Sequence, residues 1–266
     1  MATIGTVVLG MQFKKTYSNM EFYKLTDKDD KHNYFTFKTG MNKDKKNFNP
    51  TGENTKRGIY FTEKKNLGLW INCNNEYMHW IRSAEIPDDA SVYIEKDSFK
   101  TNKIILGERE PIHSKHELIE IMIQKNGMAL YYTTLSIRAQ KYDLCVLAVT
   151  QNPNALKYVI NQTFELCEIA IKQDGFALRH VLSQTNEICK LAMEQTGLVI
   201  QCIKNQTEEL CILAVSKNGS ALQHVNTKTE QICLLAIKQD ASALQFIRSD
   251  LHMLEFYKSA FMMNED

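Results

Sequence analysis

The stretch 203-IKNQTEELCILAVSKNGSALQHV-225 decides the fold of the C-terminal half, because it is one copy of a unit that returns along the chain. The two stretches before it, 159-VINQTFELCEIAIKQDGFALRHV-181 and 181-VLSQTNEICKLAMEQTGLVIQCI-203, match it position by position. Equivalent residues are 22 positions apart. Self-similarity at a short fixed period is typical of repeat architectures, in which each copy is one small unit of supersecondary structure.

A cysteine marks the middle of every unit, and its neighbours have the pattern of an amphipathic helix. An apolar residue comes directly before the cysteine, an alanine follows three positions after it, and a second apolar residue follows the alanine. Apolar residues at these offsets fall on one face of an α-helix. The cysteines of this series are Cys145, Cys167, Cys189, Cys211 and Cys233.

Polar residues and glycines indicate where this helix begins and ends. A threonine such as Thr185 stands four positions before the cysteine, where its hydroxyl can accept a hydrogen bond from a free backbone N–H. A glycine such as Gly197 follows the helix, and we expect it to adopt the left-handed conformation typical of helix C-termini. A second apolar segment then predicts a second short helix. Such short helices are marginal alone, so the units must pack against one another.

Two further segments extend the array at its ends. The segment 115–132 has the same pattern with Ile119 in the cysteine position. The segment 250–261 has Glu255 and Lys258 where other units have cysteine and alanine, as expected of a polar capping repeat. We therefore predict about six helical hairpins followed by a degenerate C-terminal cap.

The cysteine series predicts packing rather than chemistry. Packed helices lie ~8–10 Å apart, whereas a disulfide needs Cα atoms within ~7 Å and a zinc ion needs sulfur ligands at ~2.3 Å. We therefore expect neither a metal ion nor a disulfide, and we expect the thiols to act as small apolar groups between helices. A second series at the same period should be partly buried, with hydrogen-bonded histidines. Its members are Tyr158, His180, Cys202, His224 and Phe246.

The strings LAIKQDASALQFI and LAVSKNGSALQHV carry a resemblance. They resemble the short helical repeats of a domain of unknown function found in giant-virus and protist proteins. The resemblance covers about 117–250 and implies an α-solenoid. It implies no reaction.

Residues 1–108 lack the repeat and are predicted to form a small mixed α/β or β-rich head domain. Short segments rich in β-branched and aromatic residues alternate with polar turns, which is typical of strands. The segment 65–74 predicts a short helix, and 76–86 is ambiguous between helix and strand. The predicted strands lie within 3–13, 34–37, 58–63, 91–95 and 103–107.

The segment 40–58 is dense in Asn, Lys, Gly and Thr and predicts a long surface loop. Its basic residues form a local positive patch. An ordinary solvated loop is one interpretation, and contact with phosphate or RNA is the other. The candidate residues for nucleic-acid contact are Lys43, Lys45, Lys46, Lys56 and Arg57.

The head has a resemblance of its own, carried by FYKLTDKDDKHNYFTFKTGMN, FNPTGE, GIYFTE and IPDDASVYIEKDSFKTNKIIL. Together these are similar to the N-terminal module of many uncharacterised proteins of mimivirus-like giant DNA viruses, where the module precedes assorted repeats. The resemblance covers about 20–107. Where relatives often have a cysteine and a second glycine, this chain has Asn54, Lys56 and Arg57, so a relative's thiol chemistry does not carry over.

A second alternative for the head is enzymatic. The element 58-GIYFTEKKNLGLWI-71 is similar to the Gly-aromatic-aromatic-x-Thr element of ADP-ribosyltransferase-like folds. That resemblance implies an early His or Arg that holds NAD, a Tyr that stacks on the nicotinamide, and a late Glu that orients the ribose. By role, the candidates are His32, Tyr60, and Glu85 or Glu95.

Composition and the absence of common catalytic motifs exclude several classes of protein. The formal net charge is +1, so no global field favours nucleic acid or membrane. No apolar run is long enough to span a bilayer, and seven cysteines without a secretion signal indicate reduced thiols in a cytosol-like compartment. The chain has no phosphate-binding glycine loop, no HExxH and no GxSxG motif, so we expect no cofactor.

These observations predict an α+β protein: the head at 1–108, then an α-solenoid of 22-residue hairpins at 112–266. Solenoids present extended surfaces to partners. We therefore expect a non-catalytic scaffold of giant-virus origin that binds a host or viral protein in the host cytoplasm or viral factory. Partner-facing residues should lie in the columns where units differ. These are Lys157, Arg179, Gln201, Gln223 and Gln245 in the second helix, and Lys172 and Lys238 in the first.

Overall fold

The computed structural model describes residues 3–44, 48–50, 58–73, 76–134 and 140–247. An N-terminal antiparallel sheet is followed by a helical C-terminal region. The chain divides into two compact units, Met1–Gln151 and Asn152–Asp266. The first unit contains the sheet together with the first helices of the repeat pattern. The cap predicted at 250–261 lies outside the described residues.

The main sheet has the strand order β1-β10-β11-β6-β2-β9-β12-β5, with β13 also paired to β9. Strands β3 and β4 form a separate two-stranded ladder, as do β7 and β8. All pairings are antiparallel in the described part of the chain. The strands are β1 Val7–Leu9, β2 Phe22–Thr26, β3 Lys31–His32, β4 Phe35–Thr36, β5 Gly40–Lys43, β6 Ile59–Glu63, β7 Asn72–Cys73, β8 Glu76–Tyr77, β9 Trp80–Glu85, β10 Ser91–Ile94, β11 Phe99–Thr101, β12 Lys103–Leu106 and β13 Glu110–Pro111.

An aromatic cluster forms the core at one end of this sheet. Phe13 projects from helix α1 (Gly10–Thr16), and its ring centroid lies 5.0 Å from that of Phe99 on β11. Phe61 on β6 stacks on Phe99 at 5.3 Å. Such contacts add to the large apolar area that each ring removes from water. Packing of α1 on the sheet therefore depends on Phe13.

Of the segments assigned from the sequence, two depart from the prediction and one ambiguous segment is resolved. Residues Gly10–Thr16 are helical, because the Gln12 side chain accepts from the Leu9 N–H and Phe13 must reach the core. Strand β5 lies inside the predicted loop 40–58, because it pairs with β12. The ambiguous segment 76–86 is extended as β8 and β9, whereas the predicted short helix is present as the 3-10 helix Lys64–Trp70.

The first unit continues into helix α2 (His116–Lys125), the 3-10 helix Gly127–Thr133 and helix α3 (Tyr142–Gln151). Helix α2 lies against the 3-10 helix Lys64–Trp70 at Gly68, where a Cβ would stand 2.3 Å from the Met122 carbonyl oxygen. The Tyr132 hydroxyl donates to the Met78 carbonyl at 2.8 Å. The helical segment is thereby bound to the sheet within this unit.

The second unit alternates α-helices with 3-10 helices, and each α-helix packs on the next. The predicted second helix of each pair is therefore a 3-10 helix rather than an α-helix. Its six residues close with i→i+3 bonds, such as Val181 N–H to Leu178 C=O at 3.1 Å. The α-helices are α4 Phe164–Gln173, α5 Asn186–Met193, α6 Glu208–Lys217 and α7 Glu230–Gln239, and the 3-10 helices are Pro153–Tyr158, Gly175–His180, Gly197–Cys202, Gly219–His224 and Ala241–Phe246.

Candidate functional site

Three basic side chains are buried in the sheet of the first unit. Lys24 on β2 is 2% exposed, Arg82 on β9 is 3% exposed and Lys100 on β11 is 0% exposed. A buried charge is costly unless it is hydrogen-bonded and paired. The contacts of these three residues therefore organise the candidate sites of the head, and no sequence motif indicated them.

Lys24 is held by His32, which was one of the predicted NAD-site residues. The Lys24 Nζ lies 2.5 Å from His32 Nδ1, donates to the Tyr60 carbonyl at 2.7 Å and stands 4.6 Å from the centre of the Phe37 ring. An ammonium group has only donors, so Nδ1 accepts and the imidazole is neutral. Burial, and then the charge of Lys24, lowers the pKa of His32 to about 2.

Tyr60 lies beside the same group. Its ring centroid is 5.7 Å from that of Trp70. Lys100 lies on β11, and its Nζ stands 5.3 Å from the centre of the Tyr60 ring. Burial, followed by the charge of Glu95, raises the pKa of Tyr60. Burial lowers the pKa of Lys100, whose Nζ donates to the Asn49 carbonyl at 2.8 Å. The tyrosine is thus packed between an indole and a cation.

A cavity of about 10 Å³ lies among Lys24, His32, Tyr60 and Trp70. This volume holds one water molecule. Glu95 is partly exposed and accepts from the Ser98 hydroxyl at 2.5 Å. The structure therefore brings His32, Tyr60 and Glu95 into one region, and the use of NAD there stays a prediction.

Glu85, the other carboxylate considered for that role, lies elsewhere on the sheet. It is exposed on β9 opposite Ile105 of β12, and its charge raises the pKa of Lys14 on α1, after the larger effects of Asp88. Among the predicted NAD-site residues, Glu85 is thus outside the group around Tyr60.

Arg82 forms a separate buried network. Its Nη2 donates to Asp30 at 2.9 Å and its Nη1 donates to the Gly107 carbonyl at 3.0 Å. Arg109 binds the second oxygen of Asp30 at 2.7 Å. The Nε of Arg82 has no hydrogen-bond partner among the described residues. This network joins the β2–β3 turn to β9 and to the segment after β12.

A groove of about 590 Å³ lies over Arg82 and the first turn of α2. Its lining has three acidic and three basic side chains, and four of these six form two ion pairs. Lys64 binds Glu21 at 2.7 Å, and Lys115 binds Glu110. Because opposite charges are matched, the groove has no excess of one sign that would attract a charged ligand.

Threonine caps begin the α-helices of the second unit, as predicted. The Thr185 Oγ1 accepts from the Ile188 N–H at 3.3 Å, and the Thr207 Oγ1 accepts from the Leu210 N–H at 3.3 Å. Such a cap satisfies one of the free N–H groups at a helix start. Thr163 and Thr229 cap α4 and α7 in the same way.

The glycines after the α-helices have a different role from the one predicted. Gly197 is not in the left-handed region, and Thr196 before it is extended at φ −162°. A Cβ on Gly197 would stand 2.1 Å from the carbonyl oxygen of Ala214 in the next unit. The expectation of a left-handed cap is therefore wrong. The glycine is required because two successive 22-residue repeats approach closely at this point.

A glutamine before three of the capping threonines, Thr163, Thr185 and Thr207, joins successive repeats, and this role was not predicted. The Gln184 Nε2 donates to the carbonyls of Leu178 at 3.0 Å and Cys202 at 2.9 Å, and its Oε1 accepts from the Lys204 N–H at 2.9 Å. One amide thus binds two consecutive 3-10 helices. Gln162 and Gln206 repeat all three bonds. The recurrence of Gln-Thr at the repeat period was the available signal.

The five cysteines of the series are buried free thiols. Burial raises the pKa of Cys145 to about 11 and also raises the pKa of Cys167, Cys189 and Cys211. A protonated thiol is a poor nucleophile and a poor metal ligand. In the described ranges, no three His, Cys, Asp or Glu residues are grouped to hold a metal ion.

In the second series, His180 and Cys202 are partly buried. His180 Nε2 lies 3.1 Å from Asn154 Oδ1, and its backbone carbonyl accepts from Gln162. Burial, helped by Arg179, lowers the pKa of His180. These contacts agree with the expected hydrogen-bonded, half-buried histidine.

The residues predicted to face a partner are all exposed. Several rest on their own unit: Lys157 Nζ lies 4.8 Å from the Tyr158 ring centre, and Arg179 Nε donates to the Phe176 carbonyl at 2.8 Å. The exposed set comprises Lys157, Arg179, Gln201, Gln223 and Gln245 on the 3-10 helices, and Lys172 and Lys238 on α4 and α7. Their role in binding stays a prediction.

The predicted nucleic-acid patch is described in part. Lys43 is exposed on β5, whereas Lys45, Lys46, Lys56 and Arg57 lie outside the described residues. The flanks of the segment meet, since the Gly58 N–H donates to Asp44 at 2.5 Å.

No helix within the described ranges is both long and apolar enough to cross a bilayer.

Comparison with known proteins gives one match. Residues 207–252 match the family described as Domain of unknown function (DUF4116). The match begins at Thr207, the N-cap of α6, and takes in α6, α7 and the 3-10 helices that follow them. No curated protein and no solved structure matches the chain. The segment 207–252 is thus similar to a domain family of unknown function, the type that the resemblance implied.

Proposed function

We propose that the chain is a non-catalytic scaffold that binds a host or viral protein through its helical repeats, stacked as a solenoid of 22-residue hairpins. One observation carries the proposal: equivalent positions are conserved in type inside the units and differ outside. Ala170, Ala192, Ala214 and Ala236 are all buried alanines, whereas the exposed column has Lys157, then Arg179, then glutamine at 201, 223 and 245. A constant interior with a variable exterior is what a repeat-based recognition surface requires.

The local bonding supports the stacking part of this proposal. Each glutamine amide binds a neighbouring unit, and each close-approach glycine lies under a carbonyl of the next unit. A unit thereby contacts its neighbours in a fixed register. The units accordingly form one continuous surface to which a partner can bind.

The proposed origin in a giant DNA virus, and action in the host cytoplasm or viral factory, rest on the two resemblances carried by the head and the repeats. Recovery of the head motifs together with these repeats in a virion or infected-cell proteome would support that origin. A chromosomal gene in an uninfected free-living cell would contradict it.

The binding role is tested by quantitative co-purification from infected host cells. The variant Arg179→Glu with Gln201→Glu and Gln223→Glu should lose a protein that co-purifies with the wild-type chain. Lys15→Glu with Lys38→Glu is the matched control, because these exposed head residues give the same change in net charge. Equal recovery of every co-purified protein by all three chains would contradict the proposal.

The alternatives, RNA binding through the segment 40–58 and NAD use around Tyr60, remain predictions with separate tests. RNA binding through Lys43 and its neighbours should weaken steeply as salt rises. NAD use should release nicotinamide from NAD that is incubated with the purified chain, with the ADP-ribosyl group passing to water or to an acceptor. Absence of either signal would remove the corresponding alternative.

A further inference from the structure

An apolar cleft of about 500 Å³ lies between two successive turns of the second unit, 160–164 and 181–185. Its walls include Phe164 and Leu182, with Asn161, Ser183 and Thr185 among the polar lining. The volume falls in the range of sites that receive a ligand or an inserted side chain. The cleft lies on the turn side of the units, apart from the column that contains Arg179.

The apolar character of this cleft is not kept in the repeats that follow it along the chain. Phe164 is 40% exposed and Leu182 is 66% exposed, although large aliphatic and aromatic residues are normally buried. Farther along the chain, the positions equivalent to Phe164 are Asn186, Glu208 and Glu230, and those equivalent to Leu182 are Lys204 and Asn226. One repeat earlier the two equivalents are apolar, Tyr142 and Ile160.

Between the next two turns, 181–185 and 203–207, a lysine covers the equivalent position. Lys204 stands where Leu182 stands one unit earlier, and its Nζ reaches back to the carbonyl oxygens of Val181 and Leu182 at 3.3 Å each. A lysine at this position thus covers the turn before it. Leu182 has no polar head that could do the same.

Two exposed carboxylates are sequence neighbours of residues that line the cleft, Glu165 of Phe164 and Glu187 of Ile188. Glu165 follows Phe164 in the first turn of α4, and Glu187 lies in the first turn of α5. Neither has a cationic partner among the described residues, whereas the next acidic residue in the series, Glu209, binds Lys190 at 2.6 Å. The pKa of Glu165 is lowered by hydrogen bonds from its own N–H and from Thr163, so this carboxylate is charged at neutral pH.

The distance between the two carboxylates sets the separation of the positive charges in a complementary ligand. Neighbouring packed helices lie ~8–10 Å apart, so the two carboxylates are separated by about that distance. An extended peptide advances ~3.3 Å per residue, so two cations about three positions apart span the same distance. The negative charge of both carboxylates disfavours RNA and anionic lipid, which repel carboxylates.

We propose that this cleft binds an extended basic segment of the partner, with an aliphatic or aromatic side chain inserted between Phe164 and Leu182. Lysine or arginine side chains about three positions apart contact Glu165 and Glu187. The site rests on the proposed scaffold function and specifies the chemistry of its partner. A buried apolar anchor with charged neighbours is the usual form of an interaction hot spot.

The test uses a fluorescein-labelled peptide with the core Arg-Leu-Ser-Arg in a Gly/Ser host, titrated with the full chain and followed by anisotropy. We expect saturable binding that weakens at least about tenfold when the peptide leucine becomes serine or both arginines become glutamate. No binding of the parent peptide, or equal binding of all three peptides, would overturn the proposal.

Protein variants locate the site. Leu182→Lys should weaken binding at least about tenfold, because the lysine can reach back as Lys204 does. Asn226→Lys, at an equivalent exposed position, should leave it unchanged. Glu165→Gln with Glu187→Gln changes only exposed side chains and should weaken binding most at low salt. Unchanged binding in both cleft variants, with normal unfolding curves, would sink the idea.

The outcomes separate this proposal from the scaffold function. If Leu182→Lys retains the protein that co-purifies with wild type, and the Arg179 triple variant loses it, the scaffold function holds and the cleft assignment is wrong. If both variants lose the co-purified protein, the scaffold function and the cleft assignment both hold.

Discussion

Gly197 lies directly beneath Ala214: a Cβ on the glycine would stand 2.1 Å from the alanine carbonyl oxygen. The backbone of Gly197 needs no positive φ, so the requirement is space alone. Gly127 has the same relation to Ala148, at 2.0 Å. Glycine at these positions therefore allows consecutive repeats to come into van der Waals contact.

Gly197→Ala should lower the free energy of unfolding by about 1–3 kcal/mol, the usual cost of overpacking. Gly175→Ala is the matched control, since its Cβ would lie 3.0 Å from the Ala192 carbonyl oxygen, where a small shift relieves the contact. Urea unfolding followed by circular dichroism measures both. Equal effects of the two substitutions would show that close approach is not the reason for the glycine.

Gln184→Ala should cost about 1–3 kcal/mol, because three backbone groups lose their partner at once. The loss acts on the contact between units rather than on one helix, so neighbouring amides should also exchange faster with solvent. Gln201→Ala serves as control, since among the described residues the Gln201 side chain donates only to the carbonyl of Leu198 in its own 3-10 helix. Hydrogen exchange that stays unchanged around Leu178 and Lys204 would contradict the bridging role.

Cys189→Ser should destabilise the second unit by about 1–3 kcal/mol, because it places a hydroxyl at a packed apolar site. Cys189→Ala should cost less by this mechanism, and metal content should be the same for all three chains. The native thiol should also resist alkylation at pH 8, because burial raises the pKa of Cys189. Rapid alkylation of Cys189 in the folded chain would contradict its assignment as a packing residue.

Stability should fall below neutral pH because of His32. Its pKa is lowered from 6.5 to about 2 in the folded chain, so below pH 6.5 the unfolded chain binds a proton that the folded chain excludes. The stabilisation that results from a neutral His32 is fully present above pH 6.5. As the pH falls from 6.5 toward 2, the free energy of unfolding decreases by up to about 1.4 kcal/mol per pH unit.

His32→Gln keeps an acceptor for Lys24 without a titrating ring, so its unfolding free energy should depend less on pH between 7 and 5. Urea unfolding at several pH values compares the two chains. Imidazole resonances of His32 that titrate near pH 6.5 in the folded protein would contradict the assignment.

The repeat region was largely predictable because its signals recur. Thr185 and Thr207 were assigned as helix caps from position alone, and the cysteine series was assigned to the interior from spacing. The 3-10 form of the second helix was not predictable, because periodicity does not distinguish two kinds of short helix. Gln184 was missed because a polar residue in a turn normally indicates solvent exposure.

The head was less predictable because its decisive contacts are non-local. Lys24 is separated from Tyr60 by 36 positions, and Arg82 is separated from Asp30 by 52. Nothing in a strand segment such as FYKLT indicates that its lysine is buried against a histidine. Strand β5 was missed because its pairing with β12 outweighs the loop-like composition of 40–43.

The glutamine bridges restrict how such an array can grow or shrink during evolution. Because each amide spans from one 3-10 helix to the next, duplicating or deleting a whole segment such as 185–206 recreates the bonds at the new junction. A change of any other length places the amide out of phase with its three partners. Unequal recombination in whole repeats is thus tolerated, and the length of the array can change without rebuilding its interior.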